Sequence, residues 1–310
     1  MNWQEHEAFL TLAEELHFGR AADRLAVSRA RVSQMIQVME RRIGAPLFER
    51  TSRRVTLTPL GTQLRDTLGP HHHGILAAVA RAADNARGIS GVLRVGFTHP
   101  LGAELLTSAS ALFRTRHPGC AVEIREVHLS DRFGPLRRDE LDLVFLEFPA
   151  EEPDLIHGPV LLRNRKVLVL ARTHRLADRD TVCADDLAGE TLFFPGGLED
   201  YFVDHHLPAH TASGHPIHRT MTMLYWQEVQ LQIGAGNGVA VAAEQAEHYY
   251  PRPNLICLPF TDQPPVEYGL VWRASGLPAP GAAFADVLTE VVTPLLDGGG
   301  RPVAGHADLL

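Results

Sequence analysis

The chain has 310 residues, 45% of them hydrophobic and 21% charged, which is the balance of an ordinary globular protein with room for two or three domains. No apolar run is long enough to cross a bilayer, and the opening MNWQEHEAFL carries early acids in place of a basic region, so no secretion signal is expected. The net charge of −8 hides an asymmetry: residues 1–88 hold twelve arginines against nine acids, while the acidic excess lies wholly in the remainder.

Residues 2–16 read as a helix with Phe9, Leu12, Ala13 and Leu16 turned inward. A second, short helix over Gly19–Leu25 offers Ala21, Ala22 and Leu25 as a small apolar face, and Ala26 and Val27 make a tight turn. Ser28 is a suitable N-cap for a third helix, because its hydroxyl can accept from an otherwise unpaired backbone N–H. That helix keeps Val32, Ile36, Met39 and Ile43 on one side, carries Arg41 and Arg42 in its last turn and stops at Gly44. Its other side carries Arg29, Arg31, Ser33, Gln34 and Gln37. Arginine can pair bidentately with guanine and glutamine with adenine, and a helix-turn-helix presents the start of its second helix to the major groove. A solvated amphipathic helix would show a similar face. The tight turn, the Ala-Ala pair and the segment that follows favour DNA, with Ser28 and Val32 counted among the contacting residues.

That segment, APLFERTSRRVTLTPLG, reads as a short hairpin. Leu47 and Phe48 look buried, Val55 and Leu57 mark a returning strand, and Glu49 to Arg54 form a polar tip. Arg50, Arg53 and Arg54 on such a tip suit the narrow, electronegative minor groove.

From Pro59 to about Gly88 the pattern is helical again. Leu60, Leu64, Leu68, Ile75, Leu76, Val79 and Ala83 make a stripe with little to pack against, the kind that meets its copy in another subunit. Gly69-Pro70 is expected to kink this helix or split it in two. His71, His72 and His73 point in different directions, a poor metal site, and read as a polar patch.

The composition changes at Ile89-Ser90-Gly91. GVLRVGF, AVEIREV and LDLVFLEF read as strands separated by helices, the last of them a short one over Ser130–Arg138, which is the β-α-β-α-β order of a parallel sheet. The alternation restarts after VLLRNRKVLVLA. It runs through TLFFPG, a helix from Leu198 to His206, a strand near Ile217–Thr222, a helix Tyr225–Ile233, then GVAVA, VEYGLVWR and a last helix Ala282–Leu296. Two α/β lobes with a cleft between them follow, and ligands of such sheets bind beyond the carboxyl ends of strands.

Residues 9–61 resemble the LysR-type transcriptional regulators. Ala21, Ala22, Leu25, Ser33, Gln34, Ile36, Glu40, Gly44, Leu47, Phe48, Arg50, Leu57, Thr58 and Gly61 all fall where that family's pattern expects them. The remainder matches more loosely, through LDLVF, HRLAD and IGAGNGVAV. The resemblance implies a winged helix-turn-helix (all-α with a small β-wing) over 1–58 and a dimerising linker helix over 59–89. It implies a two-lobed α/β effector domain like periplasmic binding proteins over 90–310, with lobe 1 at about 90–160 and 268–310 and lobe 2 at about 161–267. It further implies a homodimer or homotetramer on double-stranded operator DNA, acting with RNA polymerase at target promoters in the cytoplasm and tuned by a small-molecule effector. The family often has Pro or Ser near positions 30 and 31; Ala30 and Arg31 depart from that.

By the family's layout the effector lies between the lobes. Thr98 and His99 follow the first strand, where helix N–H groups could bind a carboxylate. Leu129 and Ser130 follow the second strand, Phe194 and Pro195 end a strand of the second lobe, and Thr222 ends another. Phe193 and Phe194 should face opposite ways, one into the core.

Other constellations are weaker. His205, His206, His210, His215 and His218 crowd one stretch and could hold zinc or nickel, although their irregular spacing favours a solvated surface. Cys120, Cys183 and Cys257 are odd in number and far apart, which favours reduced thiols. GAGNG at 234–238 follows a helix and precedes a strand, the reverse of a dinucleotide fingerprint, and reads as a helix stop. No GxSxG, HExxH or P-loop spacing is present, so the chain is expected to be no enzyme and to need no cofactor or metal. The alternative to a ligand-responsive regulator is a metal- or redox-responsive sensor on the same DNA-binding frame.

Overall fold

The computed structural model describes residues 2–50, 54–207, 209–221 and 225–297. The chain forms two compact units, residues 1–83 and 84–310.

In the first unit, α1 (Trp3–Glu15) is closed by a capping box: Asn2 Oδ1 accepts from Glu5 N at 2.9 Å, and the Glu5 carboxylate accepts from Asn2 N at 2.9 Å. Glu5 is buried and also takes Arg42 Nη1 at 3.0 Å, which ties α1 to the end of α3 (Arg29–Ile43). Between them, α2 (Phe18–Arg24) begins one residue earlier than expected, because the His17 ring accepts from Gly19 N and Arg20 N. Ala26 takes the left-handed conformation (φ 54°), and Val27 N closes the turn on Ala22 O at 3.0 Å. Ser28 Oγ accepts from Arg31 N at 3.2 Å, and Gly44, at φ 84°, ends α3 as anticipated. Phe9, Leu12, Ala21, Ile36, Met39 and Leu47 form the centre of a three-helix core.

β1 (Phe48–Arg50) and β2 (Val55–Leu57) pair antiparallel, Phe48 opposite Leu57 and Arg50 opposite Val55. Thr58 Oγ1 then accepts from Gly61 N at 2.9 Å and starts α4 (Pro59–Ala86). A Cβ on Gly61 would lie 2.1 Å from Leu47 O, so glycine is required there for helix and hairpin to approach.

α4 is one continuous helix through Gly69-Pro70, where a break or kink was expected. Contacts on both sides account for its not being split: Leu64 and Leu68 pack against the core before the proline, and His72 stacks on Trp3 at 4.1 Å after it. His72 is therefore buried and is not part of a polar patch, whereas His71 and His73 are exposed. The apolar stripe divides accordingly. Leu64 and Leu68 serve the head, while Ile75, Leu76 and Val79 are 53%, 48% and 65% exposed.

The second unit has two lobes. Lobe 1 holds β3 (Gly91–Phe97), α5 (Pro100–Arg116), β4 (Cys120–Glu126), α6 (Gly134–Arg137), β5 (Leu143–Glu147), β6 (Leu155–His157) and β7 (Leu162–Asn164). In place of one helix over Ser130–Arg138 there is a 3-10 turn at Leu129–Asp131 and then α6. Lobe 2 holds β8 (Lys166–Ala171), β9 (Thr191–Phe194), α7 (Asp200–His206), β10 (His218–Met221), α8 (Trp226–Gly234), β11 (Ala240–Ala243), α9 (Ala246–Tyr249) and β12 (Leu255–Pro259). The chain then returns to lobe 1 with β13 (Val266–Arg273) and α10 (Ala279–Asp297).

The lobe 1 sheet runs β4-β3-β5-β13-β6, with β7 also on β13. β3 is parallel to β4 and β5, and β13 is antiparallel to its neighbours. In lobe 2, β11 and β12 flank β8 antiparallel, and β9 and β10 pair parallel. The single stretch VLLRNRKVLVLA thus supplies strands to both sheets, β7 and β8, with only Arg165 between them. Gly234 ends α8 and Gly236 turns at φ 79°, so GAGNG is a helix stop. Among the described residues no helix is long and apolar enough to cross a membrane.

Candidate functional sites: the second helix of the turn and the interlobe cleft

On α3, Arg29, Arg31, Gln34 and Gln37 are exposed and Ser33 is half-buried. Arg31 Nη1 donates to Gln34 Oε1 at 3.1 Å, so the two side chains lie together on the outer face. Other arginines of the head are spoken for: Arg20 and Arg24 pair with Glu15 and Glu14, and Arg42 with Glu5. Among the described residues Arg29 and Arg31 have no acidic partner, which leaves their charge available to phosphate or base.

Two of the sequence-predicted DNA contacts fall elsewhere. Val32 is 0% exposed and packs in the core with Ile36 and Met39, so no ligand can touch it. Its spacing already placed it on the apolar side of α3, and that periodicity prevails. Arg50 lies on β1, not on the hairpin tip; its Nη2 meets Glu40 Oε2 at 2.7 Å and its guanidinium covers the Phe18 ring at 5.2 Å. It positions the wing against α3. Arg54 is exposed beside the tip, and Arg53 lies outside the described residues. Ser28 caps α3 with its hydroxyl.

Between the lobes lies a cleft of about 600 Å³. Thr98, His99, Leu129, Phe194 and Pro195 line it, as the sequence led us to expect. Ser130 does not; its hydroxyl and backbone N–H both turn to His128 Nδ1, and it stands behind that ring, which does reach the cleft. Thr222 lies outside the described residues. Phe193 is buried in the lobe 2 core while its neighbour Phe194 faces the cleft, as strand alternation requires.

His99 caps α5: its Nδ1 accepts from Gly102 N at 3.1 Å, so the ring proton sits on Nε2, which is buried and reaches the Gln245 side chain without a well-formed hydrogen bond. Burial pushes its pKa down to about 3, so the ring stays neutral. Thr98 Oγ1 is buried and unpartnered. Glu147, at the end of β5, accepts from Tyr268 OH at 3.2 Å, and burial raises its pKa. Gln245 Nε2 donates to the same hydroxyl at 2.8 Å, leaving Gln245 Oε1 unsatisfied. A buried polar group without a partner costs stability, and several converging on one cavity mark a place where a ligand would supply the missing bonds.

The wall residues that sequence reasoning missed include Glu126, Glu147, Tyr225, Trp226 and Gln245. Glu126 and Glu147 carried a signal, as the next-to-last residues of two strand patterns. Tyr225 was taken only as a helix start, and Gln245 had no local signal at all.

Two further groups pin the lobes together. Arg132, fully buried, donates from Nε to Glu199 at 2.9 Å and from its terminal nitrogens to Glu147 O and Pro149 O at 2.9 and 3.0 Å. Its guanidinium lies between the Phe133 and Phe202 rings at 4.5 and 4.1 Å. His206 Nε2 donates to Phe148 O at 2.8 Å; the other four histidines of that stretch are exposed. No three potential ligands converge to hold a metal ion, and the three cysteines are unpaired, among the described residues.

A helix-turn-helix head with a hairpin wing, followed by a two-lobed α/β domain with a largely apolar cleft bearing a few buried polar groups, defines a DNA-binding regulator with a small-molecule-binding domain. The chain belongs to the LysR-type transcriptional regulators: residues 3–62 match the bacterial regulatory helix-turn-helix proteins of the lysR family, and residues 86–293 match the LysR substrate binding domain. It is not an enzyme. It is 31% identical to the HTH-type transcriptional regulator ShiR of Corynebacterium glutamicum, over 93% of this chain and 98% of that one. Its fold is similar to that of CbnR, a LysR family transcriptional regulator, with a TM-score of 0.54, 20% identity and coverage of 93% and 100% of the two chains. A full-length OxyR variant from Pseudomonas aeruginosa gives 0.52 and 24%, covering 94% and 99%.

Proposed function

We propose that the chain reads an operator through α3 and that occupancy of the interlobe cleft tunes that binding. Arg29, Arg31, Ser33, Gln34 and Gln37 contact base edges and phosphates of the major groove, with Ser28 fixing the start of the helix. Arg53 and Arg54 follow the backbone or minor groove beside it. Residues 1–58 form the DNA-binding head, 59–89 the linker and 90–310 the effector domain. A homodimer or homotetramer meets a dyad-symmetric site near a promoter, where it acts on RNA polymerase in the cytoplasm. The effector sits among Thr98, His99, Leu129, Phe194 and Pro195, and Thr222 is kept as a further candidate contact.

The observation that carries this reading is the pair of arginines without acidic partners, Arg29 and Arg31, on the exposed first turn of α3. The test is binding to the DNA upstream of the chain's own gene as salt is raised. Affinity should fall with a log–log slope near −0.9 per phosphate contact. Salt-independent binding that ignores sequence would sink the proposal.

A further inference from the structure

We infer that the interlobe cleft takes a zwitterion, an α-amino acid with an apolar or aromatic side chain, because donors and carboxylates emerge from three adjacent strand ends. This rests on the effector reading above and narrows it.

Phe97, the last residue of β3, pairs with Glu126 on β4 and with Phe145 on β5. The next residues along β3 and β5 are Thr98–His99 and Leu146–Glu147. The carboxyl ends of three parallel strands, roughly 4.8 Å apart, therefore present an acid, a donor pair and a second acid in that order. The donors are the Thr98 hydroxyl, which has no protein partner, and the His99 Nε2–H, which reaches the Gln245 side chain without a well-formed hydrogen bond. His99 is 7% exposed, and it stands at the start of the 17-residue α5, where the helix dipole favours negative charge. Acceptors surround them: Glu126, Glu147 and the unsatisfied Oε1 of Gln245.

Among the described residues no arginine or lysine lines the cleft. The nearest cations act on Glu147 through charge and not through a hydrogen bond: Arg132 is held by Glu199, two carbonyls and the Tyr201 hydroxyl, and the Lys166 ammonium is buried with no hydrogen-bond partner among the described residues. His99 and His206 are held neutral by burial. A simple carboxylate bound at His99 would thus lie between Glu126 and Glu147, with no arginine or lysine among the described lining residues to bond it. An amine alone would leave His99 and Thr98 unanswered. An α-amino acid carries both groups on one carbon, so its carboxylate meets Thr98 and His99 while its ammonium meets Glu147, Gln245 and Glu126. Its side chain then reaches Phe194, Leu198, Trp226 and Val241, the apolar wall of lobe 2.

The test uses the full-length protein and four probes in calorimetric titration: L-phenylalanine, L-leucine, 3-phenylpropanoate and 2-phenylethylamine. One of the amino acids should bind at least about tenfold tighter than either half-molecule, the scale of one charged hydrogen bond. Glu147→Gln should weaken that amino acid about tenfold and leave 3-phenylpropanoate unaffected or tighter. Glu126→Gln, at an exposed carboxylate, should act in the same direction and keeps the test open if Glu147→Gln fails to fold. Equal or tighter binding of 3-phenylpropanoate overturns the inference, and so does the absence of binding by both amino acids at millimolar concentration. Operator affinity is measured on the same samples. A carboxylate that binds and alters operator affinity removes the amino-acid class while the effector reading stands. Cleft ligands that never alter operator affinity remove the effector reading itself.

Discussion

Glu40 and Arg50 meet at 2.7 Å, and the same Glu40 carboxylate accepts from Leu47 N and Phe48 N at 2.9 and 3.2 Å. One side chain near the end of α3 thereby fixes where the wing begins. Glu40→Ala would leave two N–H groups of a largely buried segment without acceptors, at a cost of about 1–3 kcal/mol. Thermal unfolding of the head should register that loss, and operator affinity should fall with it because the wing is no longer held against α3. Arg50→Ala leaves the two N–H bonds intact and should cost less than half as much.

Arg31 and Val32 are adjacent in sequence and opposite in role. Arg31→Ala should weaken operator binding by about 1–3 kcal/mol if the side chain reads a base, with relaxed sequence preference at one position and unchanged unfolding. Val32→Ala should instead lower the unfolding temperature, as truncation in a packed core does. Calorimetry alongside operator titration separates the two.

In the proposed oligomer the exposed stripe on α4, Ile75, Leu76 and Val79, is the seam for a second copy. Val79→Glu should convert the oligomer to monomers in light scattering and weaken operator binding, because two linked heads on a dyad site gain from effective concentration. Leu68→Glu falls on the half of the helix that packs on the head, and should unfold the head instead.

Arg132 is buried, so its removal should cost more than removal of its acidic partner. Arg132→Met strands Glu199 and two carbonyls, and breaking a buried pair in this way costs about 3–5 kcal/mol. Glu199→Ala leaves Arg132 with Glu147 O, Pro149 O and Tyr201 OH. That variant should lose about 1–2 kcal/mol.

Acid should loosen the effector domain. His99 and His206 both have pKa values pushed down to about 3 by burial, against 6.5 for a free side chain. The unfolded chain then binds more protons than the folded one between pH 6.5 and 3. Stability from these groups is fully present above pH 6.5 and is lost as pH falls through that window. The unfolding temperature of the second unit should drop between pH 7 and 5. His99→Asn, which keeps an N-cap, and His206→Gln, which keeps a donor to Phe148 O, should flatten that slope. A slope unchanged in both variants would assign the acid sensitivity to other groups.

Where a side chain's role is set by its near neighbours, the sequence was sufficient. Ser28, Gly44, the period of Val32, Ile36 and Met39, and the turn at Ala26–Val27 are local signals, and the head follows them. The linker helix is not split at Pro70, because Trp3, distant in sequence, stacks on His72 just beyond it and Leu64 and Leu68 pack on the core just before it. The lobe 2 sheet was misjudged as mainly parallel, since strand direction around β8 depends on β11 and β12, which come 70 to 90 residues later. The cleft was half legible. Thr98, His99 and Phe194 end strand or helix patterns, whereas Gln245 and Glu147 gain their meaning only when Tyr268 joins them from the far end of the chain.

β13, residues 266–273, lies in the middle of the lobe 1 sheet, between β5 and β6. A ribosome therefore delivers the head as one uninterrupted segment, able to close its core early. The first lobe must hold three parallel strands and a half-covered α5 open until the whole of lobe 2 has been made. Its apolar surface, Phe113 and Leu106 included, waits for Phe284 and Leu288 of α10. Chains released before about residue 290 would carry a finished DNA-reading head on an unfinished sensor, competent to occupy the operator and unable to respond there.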